Sequence, residues 1–448
     1  MRTFFIRLTL WGPLFCVLSC FLSPASQGAL KIQEVISSRG IKAWLVEDHT
    51  IPVMSIRLSF KAGSAYVPVE KAGLVDVLSH MLDEGAGPYS AREFNERLQK
   101  LAIGLNFGCD LDEFKVFLKT TTEHRREAFE LLKLALTQPR FGVTEFEKVR
   151  SASIAALKAQ KKTPDYLAEK AFHETFMANH PYALPISGTE ETLQRLTPHD
   201  LEAFIKKAFV KETLTIGVCG DITPQDLRMI LDDLFKELPD KSALPPIPSL
   251  AYPRQGETKV IQANFPQSQS VFAQRGLNPR DPDYVLMVIL NQILGASPSS
   301  RLFSTVRVKK GNAYSISTSI ENYDQASILS GELGSANHRV LPSLDLVQKI
   351  WREVKEKGVT QAELDEAKSH VLGAFTLNLV SSSHIAELVH YYQRWGYPVD
   401  YPQKRNRLIE SVTLEQVNAF AKKFLNPDGL TFIVVGKPDP SFSKASSR

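Results

Sequence analysis

The chain has 448 residues, of which 43% are hydrophobic and 23% are charged, and its formal net charge is +4. The hydrophobic fraction excludes global disorder, and the length favours two or three domains over one. Because the net charge is small and no long run of like charges occurs, the balance points to no nucleic-acid partner and no acidic partner.

The N-terminal segment, MRTFFIRLTLWGPLFCVLSCFLSPASQGA, has the pattern of a signal peptide. Two arginines precede an apolar run from Leu8 to Leu22, and small, turn-forming residues follow. A membrane anchor is the alternative, but the run is short, contains a Gly-Pro pair and has no second apolar segment behind it. We expect residues 1–28 to be removed, with export to the periplasm and no membrane span afterwards. Lipoprotein anchoring at Cys20 is the less favoured alternative.

The first half of the remaining chain mixes strand and helix patterns. Strands are predicted at KAWLVED, VMSIRLSF, EFKVFLKTT and LTIGVCG, and helices at Ala91–Leu101, Arg126–Leu136 and Thr144–Lys161. Cys109 and Cys219 lie in strand-like runs. We expect both to be free thiols, although one disulfide bond between them remains an open alternative.

The second half repeats the mixture, with strands predicted at SVFAQRGL, AYSISTSI and LTFIVVG, and helices at Tyr284–Leu294 and Gln361–Leu379. Residues 238–257 contain five prolines and are predicted to be a linker, and residues 437–448 form a polar tail. The elements predict an α+β fold with two domains, residues 29–237 and residues 258–436.

The two halves also resemble each other. LTPHDLEAFIKKAFVKETLTIGVCGD from Leu196 aligns without a gap with VTLEQVNAFAKKFLNPDGLTFIVVGK from Val412, at an offset of 216 residues. The same offset places GVT at Gly142 on GVT at Gly358. Two matches in one register indicate an internal duplication of a unit of roughly 200 residues.

Three segments in chain order resemble the pitrilysin/insulinase family of metallopeptidases, particularly its smaller bacterial members and the mitochondrial processing peptidase. They are AGLVDVLSHMLDEGAG from Ala72, HPYALPISGTEETLQRLT from His180 and SSRLFSTVRVKKGNAYSIS from Ser299. The resemblance spans nearly the whole chain after the predicted signal peptide. It implies that each domain is a mainly antiparallel sheet packed with helices, and that the two domains form half of a clamshell.

Active members of that family bind zinc through two histidines and a glutamate, and use a second glutamate as the general base. By resemblance, Asp76 stands at the first histidine, Ser79 at the general base and His80 at the second histidine. The third ligand falls at Ala155 or Ala156. Because only His80 matches, we expect no metal or other cofactor in this chain. Asp76, Ser79 and His80 are then solvated or bonded to one another.

The resemblance also covers an arginine and a tyrosine in the second half. Arg307 and Tyr314 lie seven residues apart, as in family members where such a pair reaches the substrate and stabilises the oxyanion. The alternative interpretation is a surface arginine and a strand tyrosine without a catalytic role.

A chain that lacks the metal residues but keeps the oxyanion donors is explained if another chain supplies the zinc. We therefore predict the inactive subunit of an exported heterodimeric metallopeptidase, with a homologous H-x-x-E-H subunit as its partner and peptides or unfolded polypeptides as substrates. Two alternatives remain: a structural protein like the core subunits of respiratory complex III, and a peptide-binding protein that pairs with an extended peptide at a strand edge.

Overall fold

The structure is a computed structural model that describes residues 30–252, 256–377 and 379–439. The predicted signal peptide, residues 1–28, lies outside the described residues, as do three residues of the predicted linker and residues 440–448 of the tail. Within the described stretches, no helix is long and apolar enough to cross a membrane.

The first half alternates strands and helices. Its strands are β1 (Gln33–Ile36), β2 (Lys42–Glu47), β3 (Val53–Phe60), β4 (Gly85–Ala86), β5 (Tyr89–Ser90), β6 (Gly104–Cys109), β7 (Phe114–Thr121) and β8 (Leu214–Gly220). Its helices are α1 (Leu74–Ser79), α2 (Ala91–Lys100), α3 (Arg125–Thr137), α4 (Val143–Gln160), α5 (Pro164–Phe176), α6 (Glu190–Arg195), α7 (Pro198–Ala208) and α8 (Pro224–Leu234).

The second half has strands β9 (Thr258–Gln262), β10 (Gln267–Arg275), β11 (Ser315–Tyr323), β12 (Ala326–Ala336) and β13 (Thr431–Gly436). Its helices are α9 (Tyr284–Asn291), α10 (Val340–Lys357), α11 (Gln361–Leu377), α12 (Ser382–Arg394), α13 (Tyr401–Ser411) and α14 (Leu414–Phe424). Two π-helical segments, Gln292–Ala296 and Phe303–Lys309, lie between α9 and β11.

The two large sheets share one topology, except that the first has an additional edge strand, β1. The first has the order β1-β2-β8-β3-β7-β6, and the second has the order β9-β13-β10-β12-β11. In each sheet one pair is parallel, β2 with β8 and β9 with β13, and the remaining pairs are antiparallel. The predicted α+β fold of two mainly antiparallel, homologous domains is therefore confirmed.

Local sequence patterns account for the main elements. Helix α2 begins at a capping box in which the side chains of Ser90 and Glu93 each bond the other's backbone N–H. Helix α10 buries one face at intervals of three or four residues, through Val340, Leu344, Val347, Trp351 and Val354. Cys109 and Cys219, the two cysteines among the described residues, are free thiols, and Cys219 is buried within β8.

Each half contributes one helix to the other half's sheet. Helix α5 packs against β10 and β13, and helix α12 packs against β8 and β3. Helix α12 approaches the backbone of β8 closely at Gly217. A Cβ added there would lie 2.4 Å from the Ala386 carbonyl oxygen and 2.5 Å from the His390 backbone nitrogen. The side-chain oxygen of Gln393 also accepts a hydrogen bond of 2.9 Å from the Ile216 N–H. This exchange of helices ties the halves together.

A buried ion cluster lies where the halves meet. Arg394 of α12 lies among Asp112 and Glu113 of the β6–β7 turn and Asp324 of the β11–β12 turn. Its Nη2 is 3.4 Å from Asp112 and 3.3 Å from Asp324, and its Nε is 2.7 Å from Glu113. The four side chains are at most 10% exposed. Burial, followed by the nearby Asp324 charge, raises the pKa of Asp112 to about 6.

Hydrogen bonds extend the cluster on both sides. The Asp112 carboxylate accepts bonds from the Tyr182 hydroxyl at 2.5 Å and from the Asp324 N–H at 2.8 Å. On the other side, Ser59 Oγ donates to Glu113 at 2.5 Å and lies 2.7 Å from His390 Nε2. Burial lowers the pKa of His390 well below its usual value, so this imidazole is neutral at pH 7.

Replacing the central cation tests how much the cluster contributes. Arg394→Gln removes the cation shared by three buried carboxylates, of which Asp324 keeps a second cation in Lys61 at 3.2 Å, and we expect the free energy of unfolding to fall by about 3–5 kcal/mol. Arg352→Gln is the matched control, because the Arg352–Asp428 pair is 45% and 78% exposed and should contribute less than about 1 kcal/mol. Urea unfolding at pH 7 measures both changes, and equal losses would contradict the prediction.

Candidate functional site

Helix α1 carries the degenerate metal motif on its polar face. Gly73 precedes it with φ +93°, and a Cβ there would meet Leu193 and the backbone of Gly188, so glycine is required at this entry. The apolar stripe predicted for this segment is buried in the core of the first half, with Leu74, Val77, Leu78, Met81 and Leu82 at 0–2% exposure. The opposite face opens into a cavity.

The cavity has a volume of about 720 Å³. Asp76, Ser79 and His80 line it together with residues of β6, α4 and the α5–α6 connection, among them Asn106, Phe107, Lys148, Ser153, Ala156 and Ser187. Of the two positions predicted for a third ligand, Ala156 lines the cavity. The structure therefore brings the motif positions of α1 together with the matching position of α4, and all of them belong to the first half.

Ser79 and His80 bond the backbone of α1, and their side chains also lie 3.4 Å apart, from Oγ to Nδ1. Ser79 Oγ donates to the Asp76 carbonyl oxygen at 2.7 Å, and His80 Nδ1 lies 2.8 Å from the same oxygen. Ser79 is only 6% exposed, so it is buried rather than solvated, whereas His80 is exposed. Burial raises the pKa of Asp76, against opposing effects of His80 and a Ser187 hydrogen bond.

These donors do not fit a zinc ion. Within the described residues, no group of three or more His, Cys, Asp or Glu side chains could hold a metal. Ala156 offers no ligand atom, and the Ser79 hydroxyl cannot act as a base because it is neutral and already bonded. The cavity therefore has neither a zinc ligand set nor a general base at the positions that the family resemblance assigns.

Arg307 and Tyr314 lie in the second half, outside the residues that line this cavity. Arg307 belongs to the π-helical segment Phe303–Lys309, and its guanidinium lies 4.7 Å from the centre of the Phe303 ring. Tyr314 directly precedes β11 and is 58% exposed. Among described residues, neither side chain forms a hydrogen bond or an ion pair, so the N–H donors of the one and the hydroxyl of the other remain open to a ligand.

The turn between the two residues is held by hydrogen bonds. The Asn312 N–H donates to the Val306 carbonyl at 2.9 Å, and the Asn312 carbonyl accepts from Ser335 Oγ at 2.5 Å. The Tyr314 N–H donates to the Gly334 carbonyl at 2.8 Å. Arg307 and Tyr314 therefore stand on a segment fixed to β12, although their own side chains are exposed.

A second arginine, two residues before the π-helical segment Phe303–Lys309, has a structural role that the sequence analysis missed. Arg301 donates two bonds to Glu363 of α11, of 2.6 and 2.8 Å. Burial would raise the pKa of Glu363, but Arg301 and the Thr360 N–H hold it at about 2. This bidentate pair anchors the π-helical segment to α11. The only sequence signal was an arginine in SSRLF, where nothing identified its distant partner.

The chain is similar to known proteins over nearly its full length. Residues 42–190 match the model of the family "Insulinase (Peptidase family M16)", and residues 195–371 match the model "Peptidase M16 inactive domain". Among curated proteins, the "Non-peptidase homolog YmxG" of Helicobacter pylori is 28% identical over 411 residues, which is 91% of this chain and 94% of that protein.

Two solved structures have the same fold. The crystal structure of a peptidase M16 inactive domain from Pseudomonas fluorescens has a TM-score of 0.85 and 26% identity, covering 92% of this chain and 98% of that one. A protease from Helicobacter pylori has a TM-score of 0.82 at 20% identity, covering 90% of this chain and 99% of that one, and shows the fold alone.

Adding ligands tests whether the cavity is a metal site that lacks only its donors. The chain itself should retain no stoichiometric zinc, whereas Asp76→His combined with Ala156→Glu should retain about one equivalent, since His80 then has two partners. Asp76→His with Ala155→Glu is the control and should retain none, because Ala155 is rotated by about 100° around α4. Zinc is measured by mass spectrometry after dialysis. One equivalent in the unmodified chain, removed by His80→Ala, would contradict this prediction.

The Arg301–Glu363 pair makes stability depend on pH. The pKa of Glu363 is about 2 in the folded chain against an ordinary 4.5, so its contribution is complete above pH 4.5 and is lost as pH falls towards 2. Because the pair is partly exposed, Glu363→Gln should lower the free energy of unfolding by about 1 kcal/mol at pH 7. The deficit should disappear near pH 2. Glu366→Gln, an exposed neighbour on α11, should show no such change. Urea unfolding at several pH values gives both curves.

Proposed function

Because the chain belongs to the pitrilysin/insulinase (M16) peptidase family as an inactive homologue, we propose that it is the zinc-free subunit of a heterodimeric metallopeptidase. Its partner is a homologous chain with an intact H-x-x-E-H motif, which holds the zinc and the general base. Peptides or unfolded polypeptides are the substrates. The signal-peptide pattern of the N-terminal segment supports export to the periplasm, where the pair would act.

The observation that carries the proposal is the contrast between the two halves. The first half has a well-formed cavity with no ligand set. The second half has Arg307 and Tyr314 exposed and unbonded among the described residues, on a turn that is itself fixed. A side chain held only by an aromatic ring keeps its polar donors for another molecule.

The chemistry of the pair suits an oxyanion. When water attacks a peptide carbonyl, the oxygen gains negative charge, and donors already aimed at that position lower the barrier. The Arg307 guanidinium and the Tyr314 hydroxyl can both donate to such an oxygen. In this proposal they do so at the partner's zinc site, and this chain has no hydrolytic activity of its own.

Substitution of the pair in the reconstituted heterodimer tests the proposal. Arg307→Ala and Tyr314→Phe should each lower kcat by about 10²–10³-fold, the usual cost of one oxyanion donor. Assembly should persist, because both side chains are exposed and neither supports the core. The measurements are turnover of a fluorogenic peptide and size-exclusion chromatography after co-expression with the H-x-x-E-H chain.

Lys422→Ala is the matched control, since it removes one exposed cation from α14 of the same half and should leave turnover unchanged. Full activity of both the Arg307 and the Tyr314 variants, in an assembled complex, would disprove the shared site.

One observation favours a second function, peptide binding without chemistry. Strand β6 forms the edge of its sheet, and its Asn106 and Phe107 line the cavity. An extended peptide can add to such an edge through main-chain hydrogen bonds. Peptide binding without chemistry is favoured over the shared site if the chain binds peptides and substitution of Arg307 and Tyr314 does not change the turnover of an assembled complex.

A further inference from the structure

Four exposed cations lie around the turn that carries Tyr314, and we refer to them as the basic patch. Three of them, Arg307, Lys309 and Lys310, close the π-helical segment. The fourth, Arg339, precedes α10 and donates through Nη1 to the Gly311 carbonyl at 2.6 Å. This contact places Arg339 beside the turn, so the four charges are grouped on one small surface.

The basic patch has no acidic partner among the described residues. None of its four cations forms an ion pair there, whereas Arg301, a few residues earlier, is fully paired with Glu363. Exposed lysines and arginines elsewhere in the chain commonly have a carboxylate within 4 Å, as in Lys148–Glu84 at 3.1 Å and Lys236–Asp233 at 3.2 Å. The patch therefore keeps an uncompensated positive potential.

The nearby hairpin explains why the patch stays uncompensated. In the β11–β12 register Ser315 pairs with Gly334 at the end next to the patch, and Tyr323 pairs with Ala326 at the far end. Glu321 and Asp324 lie at that far end, in the ion cluster between the halves or beside it. Glu332 lies closer in register, but it is near Asp165 and Glu169 of α5. Burial, followed by the charges of those two residues, raises its pKa.

We infer that the basic patch selects acidic segments of the peptide substrate beside Arg307 and Tyr314. This inference rests on the proposed function, which places the peptide at those two residues. It differs from the expectation, drawn from the small net charge of the whole chain, of no acidic partner. Net charge averages over the surface, whereas binding responds to the local potential.

The magnitude expected for such a surface is moderate. An exposed ion pair contributes at most about 1 kcal/mol, or about fivefold in affinity, and salt screens it over about 10 Å at 0.1 M. When several cations pair with one acidic segment, the affinity gains of the individual ion pairs multiply. The selectivity should therefore be clear at low salt and weak at high salt.

Peptide binding by the full chain alone tests the inference. The probes are two fluorescein-labelled 12-residue peptides that differ only in four consecutive residues, all Glu in one and all Gln in the other. Fluorescence anisotropy at low salt should give at least about tenfold tighter binding of the Glu peptide. Lys309→Gln with Lys310→Gln should weaken it by about 3–25-fold, and 0.5 M NaCl should remove most of the difference.

The control is another pair of adjacent exposed lysines. Lys422→Gln with Lys423→Gln on α14 removes the same charge from a different surface and should change the affinity by less than about twofold. Equal affinity for the two peptides would overturn the inference, and so would an equal loss in the control variant. Tighter, patch-dependent binding to phosphatidylserine vesicles or to a single-stranded oligonucleotide than to the Glu peptide would also overturn it, in favour of a membrane or nucleic acid.

The two proposals fail separately. If Arg307→Ala and Tyr314→Phe keep full turnover, the shared site fails, while preference for the Glu peptide would still stand as a binding property. If the two peptides bind equally but those variants lose turnover, the inference about acidic segments fails and the shared site stands.

Discussion

One guanidinium, that of Arg394, lies among three carboxylates from both halves of the chain and joins the two hairpins whose strands β6 and β11 run to the candidate sites. Asp112 and Glu113 end the hairpin whose β6 strand lines the cavity. Asp324 ends the hairpin whose β11 strand follows Tyr314. A buried cation with several acidic neighbours is rigid because each carboxylate is costly to leave unpaired. The raised pKa of Asp112 relieves part of the remaining negative charge.

The loss of the metal site has left the fold intact because catalysis and folding use opposite faces of α1. The apolar stripe of that helix packs into the core, whereas Asp76 and His80 point towards the cavity. Replacing ligands on the cavity face removes no core contact, and the Ser79 hydroxyl finds a backbone acceptor within its own helix. In the second half the exposed pair has no packing role either. Residues on the cavity face of α1 can therefore be substituted without disturbing the residues on its core face.

Much of the architecture was predictable from local patterns. Strand β3 coincides with the predicted VMSIRLSF, and the repeat at an offset of 216 residues corresponds to α7 with β8 and α14 with β13. Strand β12 was not among the predicted strands, and its sequence, ASILSGELGSA, is rich in serine and glycine, which are not typical strand residues. The structure explains Gly331, because a Cβ there would lie 2.2 Å from the Phe272 ring, so the glycine admits a neighbouring side chain.

Contacts between distant parts of the chain were beyond local reasoning. The Arg301–Glu363 pair, the choice of Ala156 over Ala155 and the burial of Ser79 all depend on which helix faces which. Periodicity identifies the buried face of a helix but not the element that covers it. The Arg394 cluster joins residues more than two hundred positions apart, and no short motif marks it.

The reciprocal exchange of α5 and α12 also constrains synthesis. The ring faces of Phe172 and Phe176 on α5 belong to a core shared with β13, which is translated roughly 260 residues later. At a translation rate of about 5–20 residues per second, this apolar surface stays exposed for on the order of 10–50 s before β13 is synthesised. The nascent first half is thus a natural client for a chaperone, and a chain truncated before β13 leaves both halves unable to complete their cores.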